Sequence, residues 1–283
     1  MKPYSLLFPL LLFTAGTSPG LHAATITVKG SDTMVILAQK WAEVYMSTHP
    51  DVKIQVTGGG TGTGFAALQN QQTDLCNASR KIRPKENETC IRAFGRRPTE
   101  YRVALDGLSV YVHADNPIEE LSLEQLEAIF TGKIRNWKEL GGPDAQIILY
   151  SRENNSGTYE FFKEHVLKGK DFAAHAQTMP GTAAVLQAVS RARHGIGYGG
   201  AAYGVGAKHL RIRKTANDPA IEPTEENVVN GSYPISRYLY IYVNPALDKG
   251  PVADYLKWIR SDAGQAVVKE VGYYPLPPEL RSR

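Results

Sequence analysis

Cysteine is scarce in this chain: Cys76 and Cys90 are the only two among 283 residues. A metal centre built on thiolates needs more of them, and the seven His residues are scattered without ligand spacing. Charge of one sign is also scarce. Lys and Arg number 32 against 28 Asp and Glu, a net charge of +4. That excess excludes the broad basic footprint of a nucleic-acid binder. Long apolar runs are missing beyond the N-terminus, so no later segment reads as a membrane span. Repeats, heptads and low-complexity tracts are absent. There is no Gly-x-Ser-x-Gly elbow, and the glycine-rich stretch Gly60 to Gly64 lacks the Lys of a nucleotide-binding loop. Neither a nucleophile nor a metal cluster suited to phosphatase chemistry stands out.

What remains is an ordinary globular composition, 42% hydrophobic and 21% charged. The length suits two lobes of typical domain size. The N-terminus reads as a secretory signal over residues 1–24: Lys2, then the apolar run Leu6 to Phe13, then small residues ending at Ala23-Ala24. No Cys lies beside the expected cut, which argues against a lipid anchor. The mature chain is expected to be exported and soluble in a bacterial periplasm. In that oxidising compartment two cysteines suggest one disulfide, Cys76 to Cys90, closing a loop across Arg80 to Glu88.

Patterning predicts an α/β fold. Thr25 to Val28 and Val52 to Val56 read as strands, with helical spacing from Met34 to Tyr45 between them. A second helix starts at Phe65, and Thr73 to Cys76 forms a third strand, completing a βαβαβ unit with a parallel sheet. A long apolar strand, Tyr101 to Val112, carries Asp106-Gly107 at its middle, which predicts a bend or hinge there. A second α/β region follows, with a capped helix start at Ser122 and a strand over Tyr238 to Val243.

Ligands of open α/β sheets sit beyond the carboxyl ends of the strands. Four polar turns fall at such ends: Gly30-Ser31-Asp32-Thr33, Gly60-Thr61-Gly62-Thr63-Gly64, Ser79-Arg80 and Arg152 to Thr158. In the last of these a strand runs into a loop, and the loop opens a helix at Ser156. Unpaired N–H groups, the positive end of the helix dipole, the Ser156 and Thr158 hydroxyls and the Arg152 fork then surround one point, as an oxyanion site requires. The same residues would also serve as an ordinary N-cap beside a solvated Arg. The recurrence of such turns favours the anion site.

Taken in order, these turns resemble the PstS family of periplasmic phosphate-binding proteins, which feed an ABC importer. Further landmarks are Leu105-Asp106-Gly107, Ile129-Phe130-Thr131-Gly132, Gly195-Ile196-Gly197-Tyr198 and Gly272-Tyr273-Tyr274-Pro275. The resemblance spans the whole mature chain. It implies a type 2 periplasmic-binding-protein fold: residues 25–106 plus 236–283 as one lobe, residues 107–235 as the other, and two crossings between them. It implies inorganic phosphate as ligand, membrane permease subunits as partners, a monomer, no cofactor, no nucleic acid and no catalysis. The implied phosphate contacts are Arg152, Ser156, Gly157 and Thr158 from the second lobe, and Ser31, Thr33, Thr61, Ser79 and Arg80 from the first. Some family members carry an Asp after the Ser of the third turn, where this chain has Arg80. That Asp accepts the proton of bound phosphate. Asp106 is the residue left for the role, either touching the anion or pairing with Arg80. Sulfate, molybdate or a phosphonate are the alternatives, since the donors fit these too; a phosphate-ester hydrolase is a further, less favoured one.

Overall fold

A computed structural model of the chain describes residues 23–204 and 206–281. Residues 1–22 of the expected secretory segment lie outside them. The first part of the chain alternates strand and helix: β1 (Ala24–Gly30), α1 (Val35–Thr48), β2 (Val52–Thr57), α2 (Thr61–Gln69) and β3 (Leu75–Ala78). Then come α3 (Pro84–Phe94), the long β4 (Thr99–Val112), β5 (Glu120–Ser122) and α4 (Leu123–Phe130). The middle holds β6 (Ile148–Arg152), α5 (Gly157–His165), β7 (Gln177–Met179), α6 (Thr182–Arg191) and β8 (Gly195–Gly200). The chain ends with β9 (Lys208–His209), β10 (Arg211–Arg213), α7 (Glu225–Val229), β11 (Ser236–Val243), α8 (Gly250–Arg260) and α9 (Asp262–Val271). No helix among the described residues is long and apolar enough to cross a membrane.

One sheet runs through the molecule in the order β2-β1-β3-β11-β4-β8-β6-β7, with β9 beside β4. The strands β1, β2 and β3 are mutually parallel, and β11 enters antiparallel between β3 and β4. Two large cores and two smaller clusters form on this frame. The first gathers Ile26, Trp41, Tyr45, Ile241, Tyr255 and Val268, where α1, α8 and α9 cover the parallel strands. The Trp41 indole N–H donates to the Gly264 carbonyl at 2.8 Å, which ties α1 to α9. The second core gathers Leu108, Val110, Phe130, Trp137, Phe162 and Tyr198 under α4 and α5. Apolar residues at helical spacing on these helices explain the packing: each must bury one stripe against the sheet.

The Asp106-Gly107 pair does not interrupt β4, which is continuous from Thr99 to Val112. It marks a change of partner. Gly107 pairs with Ser236 of β11, whereas Leu108 pairs with Gly200 of β8. The register irregularity lies earlier, where Leu239 faces Ala104 and Tyr240 faces Arg102. Gly107 is required for space: a Cβ there would stand 2.8 Å from Val228 and 3.0 Å from Pro223.

The expected Cys76–Cys90 bridge is corrected: both are free, buried thiols. The span that such a bridge would close runs into α3, opened by Pro84 and by Glu86 bonding back to the Arg83 N–H at 2.9 Å. The two thiols then meet different turns of α2. Cys76 Sγ packs on Gly64, while Cys90 lies against Gln69. Those positions are five residues apart in α2, roughly 7.5 Å along the axis at 1.5 Å per residue. Burial pushes the Cys76 thiol well above its ordinary value and lifts Cys90 to about 11, so both stay protonated. Reductant is therefore expected to leave the melting temperature unchanged, with two free thiols titrating on unfolding. Removing a native disulfide costs about 2–5 kcal/mol, so a bridge would show itself as a clear drop in melting temperature on reduction.

Candidate functional site

Three helices begin at the carboxyl ends of parallel strands and aim their N-termini at one place. A single 3₁₀ turn, Asp32–Met34, leads from β1 into α1. Gly60, at φ 90°, turns β2 into α2, whose first residue is Thr61. Ser156 caps α5, its hydroxyl accepting from the Thr158 and Tyr159 N–H groups at 3.2 and 3.3 Å. Helix N-termini carry partial positive charge and unpaired donors, so their convergence favours an anion.

The hydroxyls meet across the cleft between the two cores. Thr33 Oγ1 and Thr158 Oγ1 lie 2.7 Å apart, and Thr61 Oγ1 and Ser79 Oγ 3.3 Å apart. The Ser79 N–H also donates to Thr61 Oγ1. Gly157 presses so closely on this pair that an added Cβ would stand 2.4 Å from Thr61 Oγ1 and 2.7 Å from Ser79 Oγ. Thr33, Thr61, Ser79, Ser156 and Thr158 are all buried. Ser31 is buried too, its N–H donating to the Asn77 carbonyl at 2.9 Å, but its hydroxyl has no partner. An unpaired buried polar atom is uncommon and points to a missing interaction.

Two buried arginines flank the cluster. Arg152 donates to Asp32 Oδ2 at 2.7 Å, to Thr182 Oγ1 at 2.9 Å and to Glu153 at 3.0 Å. Asp32 in turn accepts the Gly59 N–H at 2.7 Å, so the carboxylate bridges two first-core turns and the second-core arginine. Arg237, at the start of β11, is the residue that sequence reasoning missed. Its Nε and Nη2 donate to Asp106 Oδ2 at 3.0 and 2.8 Å, its Nη1 to the Ser79 carbonyl at 3.0 Å, and its Nη2 also to Thr158 Oγ1 at 3.0 Å. Its signal was available: a lone cation at the head of the apolar strand Ser236–Val243.

Asp106 therefore pairs with Arg237, which corrects the alternative pairing with Arg80. Its other oxygen accepts the Ala201 N–H at 3.1 Å. Arg80 is a second correction. It makes no contact with the hydroxyl cluster and turns to Glu86, with Nη1 and Nη2 at 2.8 and 2.7 Å from the two carboxylate oxygens. Its Nε lies 2.6 Å from Glu160. The physical reason is α3: its capping Glu86 stands beside the Arg80 guanidinium and engages it as a planar fork. So the structure gathers Thr33, Thr61, Ser79, Ser156, Gly157 and Thr158, with Ser31 buried two residues before Thr33, flanks them with Arg152 and Asp106, and leaves Arg80 outside.

The turn carrying Arg152 is also clasped from across the cleft. The Gly62 N–H donates to the Asn155 carbonyl at 2.9 Å, and the Asn155 amide donates to the Gly59 carbonyl and Thr63 hydroxyl. Gly60 allows this approach, because a Cβ there would meet the Asn155 carbonyl at 2.8 Å.

The PBP superfamily domain matches residues 15–263. The phosphate-binding protein PstS of Pseudomonas aeruginosa is 38% identical over 270 residues, covering 90% of this chain and 84% of its own length. The chain belongs to the PstS family. A PstS from Staphylococcus aureus is 33% identical over 257 residues, covering 88% of this chain and 77% of its own. Among solved structures, a Clostridium perfringens substrate-binding protein with bound phosphate superposes with TM-score 0.82 at 28% identity, covering 89% of this chain and all of that one. An ABC-type phosphate transport receptor from Vibrio cholerae gives TM-score 0.70 at 25% identity over the same shares. The type 2 periplasmic-binding-protein fold expected for PstS proteins is the fold of this chain.

Proposed function

We propose that this PstS-family chain binds inorganic phosphate in the cleft and delivers it to the membrane permease subunits of an ABC importer. The observation that carries the reading is the buried cluster of Ser and Thr hydroxyls at three helix N-termini, with the Ser31 hydroxyl unpartnered. Residues 25–106 with 236–283 form one lobe in this reading and 107–235 the other, and the anion is held by contacts from both. Ser31, Thr33, Thr61 and Ser79 contribute from the first lobe. Arg152, Ser156, Gly157 and Thr158 contribute from the second, with Arg237 positioning Thr158 and Ser79. Micromolar binding needs about 8 kcal/mol. Charge-assisted hydrogen bonds supply roughly 1.5–3 kcal/mol each, so several suffice once ordering costs are met.

The cleft suits binding better than hydrolysis. Asp32 and Asp106 are each held by an arginine, so neither stands as a free base beside a hydroxyl. Both arginines are already compensated, Arg237 by Asp106 and Arg152 by Asp32 and Glu153. The anion then gains mainly from oriented dipoles and from the spare donors of Arg152. A periplasmic location fits this role.

Isothermal titration calorimetry of the mature protein with phosphate, sulfate and molybdate tests the assignment. Phosphate is expected to bind at micromolar or lower concentration and sulfate far more weakly; equal affinity for all three would replace phosphate with a general oxyanion site. Arg152→Ala is expected to weaken phosphate binding at least tenfold, about 1.4 kcal/mol. Unchanged affinity in that variant would place the anion elsewhere.

A further inference from the structure

Arg80 sits next to Ser79 in sequence yet serves none of the site's hydroxyls, and what it does instead is visible in its partners. Glu160 lies in the first turn of α5, just beyond Thr158, so it moves as one body with the Ser156-Gly157-Thr158 segment. It reaches across the cleft to Arg80 Nε at 2.6 Å and also pairs with Arg83. Arg80 is held on its own side by Glu86, and the Arg83 N–H donates to the same carboxylate at 2.9 Å. Two cations and two anions thus form a closed set. The Arg80 and Glu160 side chains are only 8% and 11% exposed there. Arg80 also lies over the Phe65 ring, 5.4 Å from its centroid.

We propose that Glu160, with Arg80 and Arg83, is a latch that biases the two lobes toward closure whether or not an anion is bound. The proposal rests on the two-lobe reading above. Glu160 is the only member of the set contributed by the second lobe, so within the set separation of the lobes breaks its pairs alone, alongside the Arg152–Asp32 pair at the hydroxyl cluster. The Arg80–Glu86 fork survives opening, which keeps Arg80 compensated. Glu160 then returns to water near a helix N-terminus, where a negative charge is welcome. Both states are therefore tolerable, and the latch shifts an equilibrium instead of locking it. Burial pushes the Glu160 carboxyl above its ordinary value even with Arg80 and Arg83 pulling it down, so the net pull of the set is modest while its geometry is specific. Because a ligand's apparent affinity scales with the population of its binding-competent state, a bias toward closure tightens phosphate binding without touching phosphate. Glu160 and Arg80 are positioning residues in this scheme.

Small-angle X-ray scattering without phosphate, together with stopped-flow phosphate release, tests the latch. Glu160→Gln is expected to raise the anion-free radius of gyration and to weaken phosphate binding roughly fivefold or more, mainly through faster release. Arg83→Ala, at a half-exposed position that does not risk the fold, is expected to act in the same direction, and Arg83→Lys to restore wild-type behaviour. With phosphate saturating, all variants are expected to reach the wild-type closed radius. Glu160→Gln and Arg83→Ala proteins indistinguishable from wild type in anion-free scattering would overturn the latch. If the wild-type protein failed to bind phosphate, the functional reading would fall, while the anion-free scattering comparison would still decide the latch.

Discussion

Replacing Gly157 with Ala is expected to abolish phosphate binding and leave the fold at least as stable as before. The two effects have opposite signs for separable reasons. Gly157 is the first residue of α5, and Ala in a helix is preferred over Gly by up to about 1 kcal/mol. Within its own lobe the new methyl therefore helps. Across the cleft it would stand 2.4 Å from Thr61 Oγ1, 2.7 Å from Ser79 Oγ and 2.9 Å from Thr61 Cβ. No real Cβ tolerates such distances, and the atoms it strikes belong to short, buried side chains that cannot swing aside. The lobes must then stay apart, which separates Thr33 from Thr158 and opens the hydroxyl cluster. A loss of at least a hundredfold is expected, roughly 2.8 kcal/mol at 1.4 kcal/mol per decade. Calorimetry with phosphate and a thermal melt of the same sample read both halves. Retained binding would mean that the anion does not require this closure.

The parts of this molecule legible in the sequence were those set by local physics. Alternation marked β1 and β2, helical spacing marked α1, and Ser122 and Ser156 announced α4 and α5 by their capping chemistry, as the structure shows. The polar turns at strand ends were visible because glycine and hydroxyl residues are needed where a chain reverses and a helix begins. What could not be read were partnerships set by tertiary approach. Asp106 was visible as an oddity in an apolar strand, but its partner Arg237 lies 131 residues away and is brought to it only by the antiparallel pairing of β11 with β4. The same blindness affected Asp32, whose salt bridge to Arg152 spans the cleft.

Arg80 shows how one missed helix propagates. With α3 unrecognised, a disulfide across Arg80 to Glu88 was expected from the oxidising compartment alone, and Arg80 was left free to face the anion. With α3 in place, Glu86 captures Arg80, and Cys90 is carried to the far end of α2. The first two turns of α3 carry Lys85, Glu86 and Glu88, and the apolar Cys90, Ile91 and Phe94 fall only in its second half with Cys90 alone buried, so the apolar stripe was too short to announce it. Its evidence was the cap: Pro84 followed by Glu86.

Arg237→Ala carries the largest expected cost in stability. Arg237 is buried and engages Asp106, the Ser79 carbonyl and Thr158 at once. Without it the Asp106 carboxylate, fully buried, keeps only the Ala201 N–H among the contacts described. Removing one partner of a buried ion pair costs about 3–5 kcal/mol, because the other charge is left uncompensated. For a protein of this size that is roughly a 10 °C fall in melting temperature. Phosphate binding is expected to fall as well, since Thr158 and Ser79 lose the group that aims them. The double variant Asp106→Asn with Arg237→Met separates the two consequences. Neutralising both partners removes the orphaned charge, so most of the lost stability is expected to return, while phosphate affinity stays low because the Ser79 and Thr158 contacts remain absent. Urea denaturation and calorimetry on the single and double variants make the comparison. An Arg237→Ala protein that melts at the wild-type temperature, or a double variant that regains wild-type affinity, would show that this pair neither supports the cleft nor orients its hydroxyls.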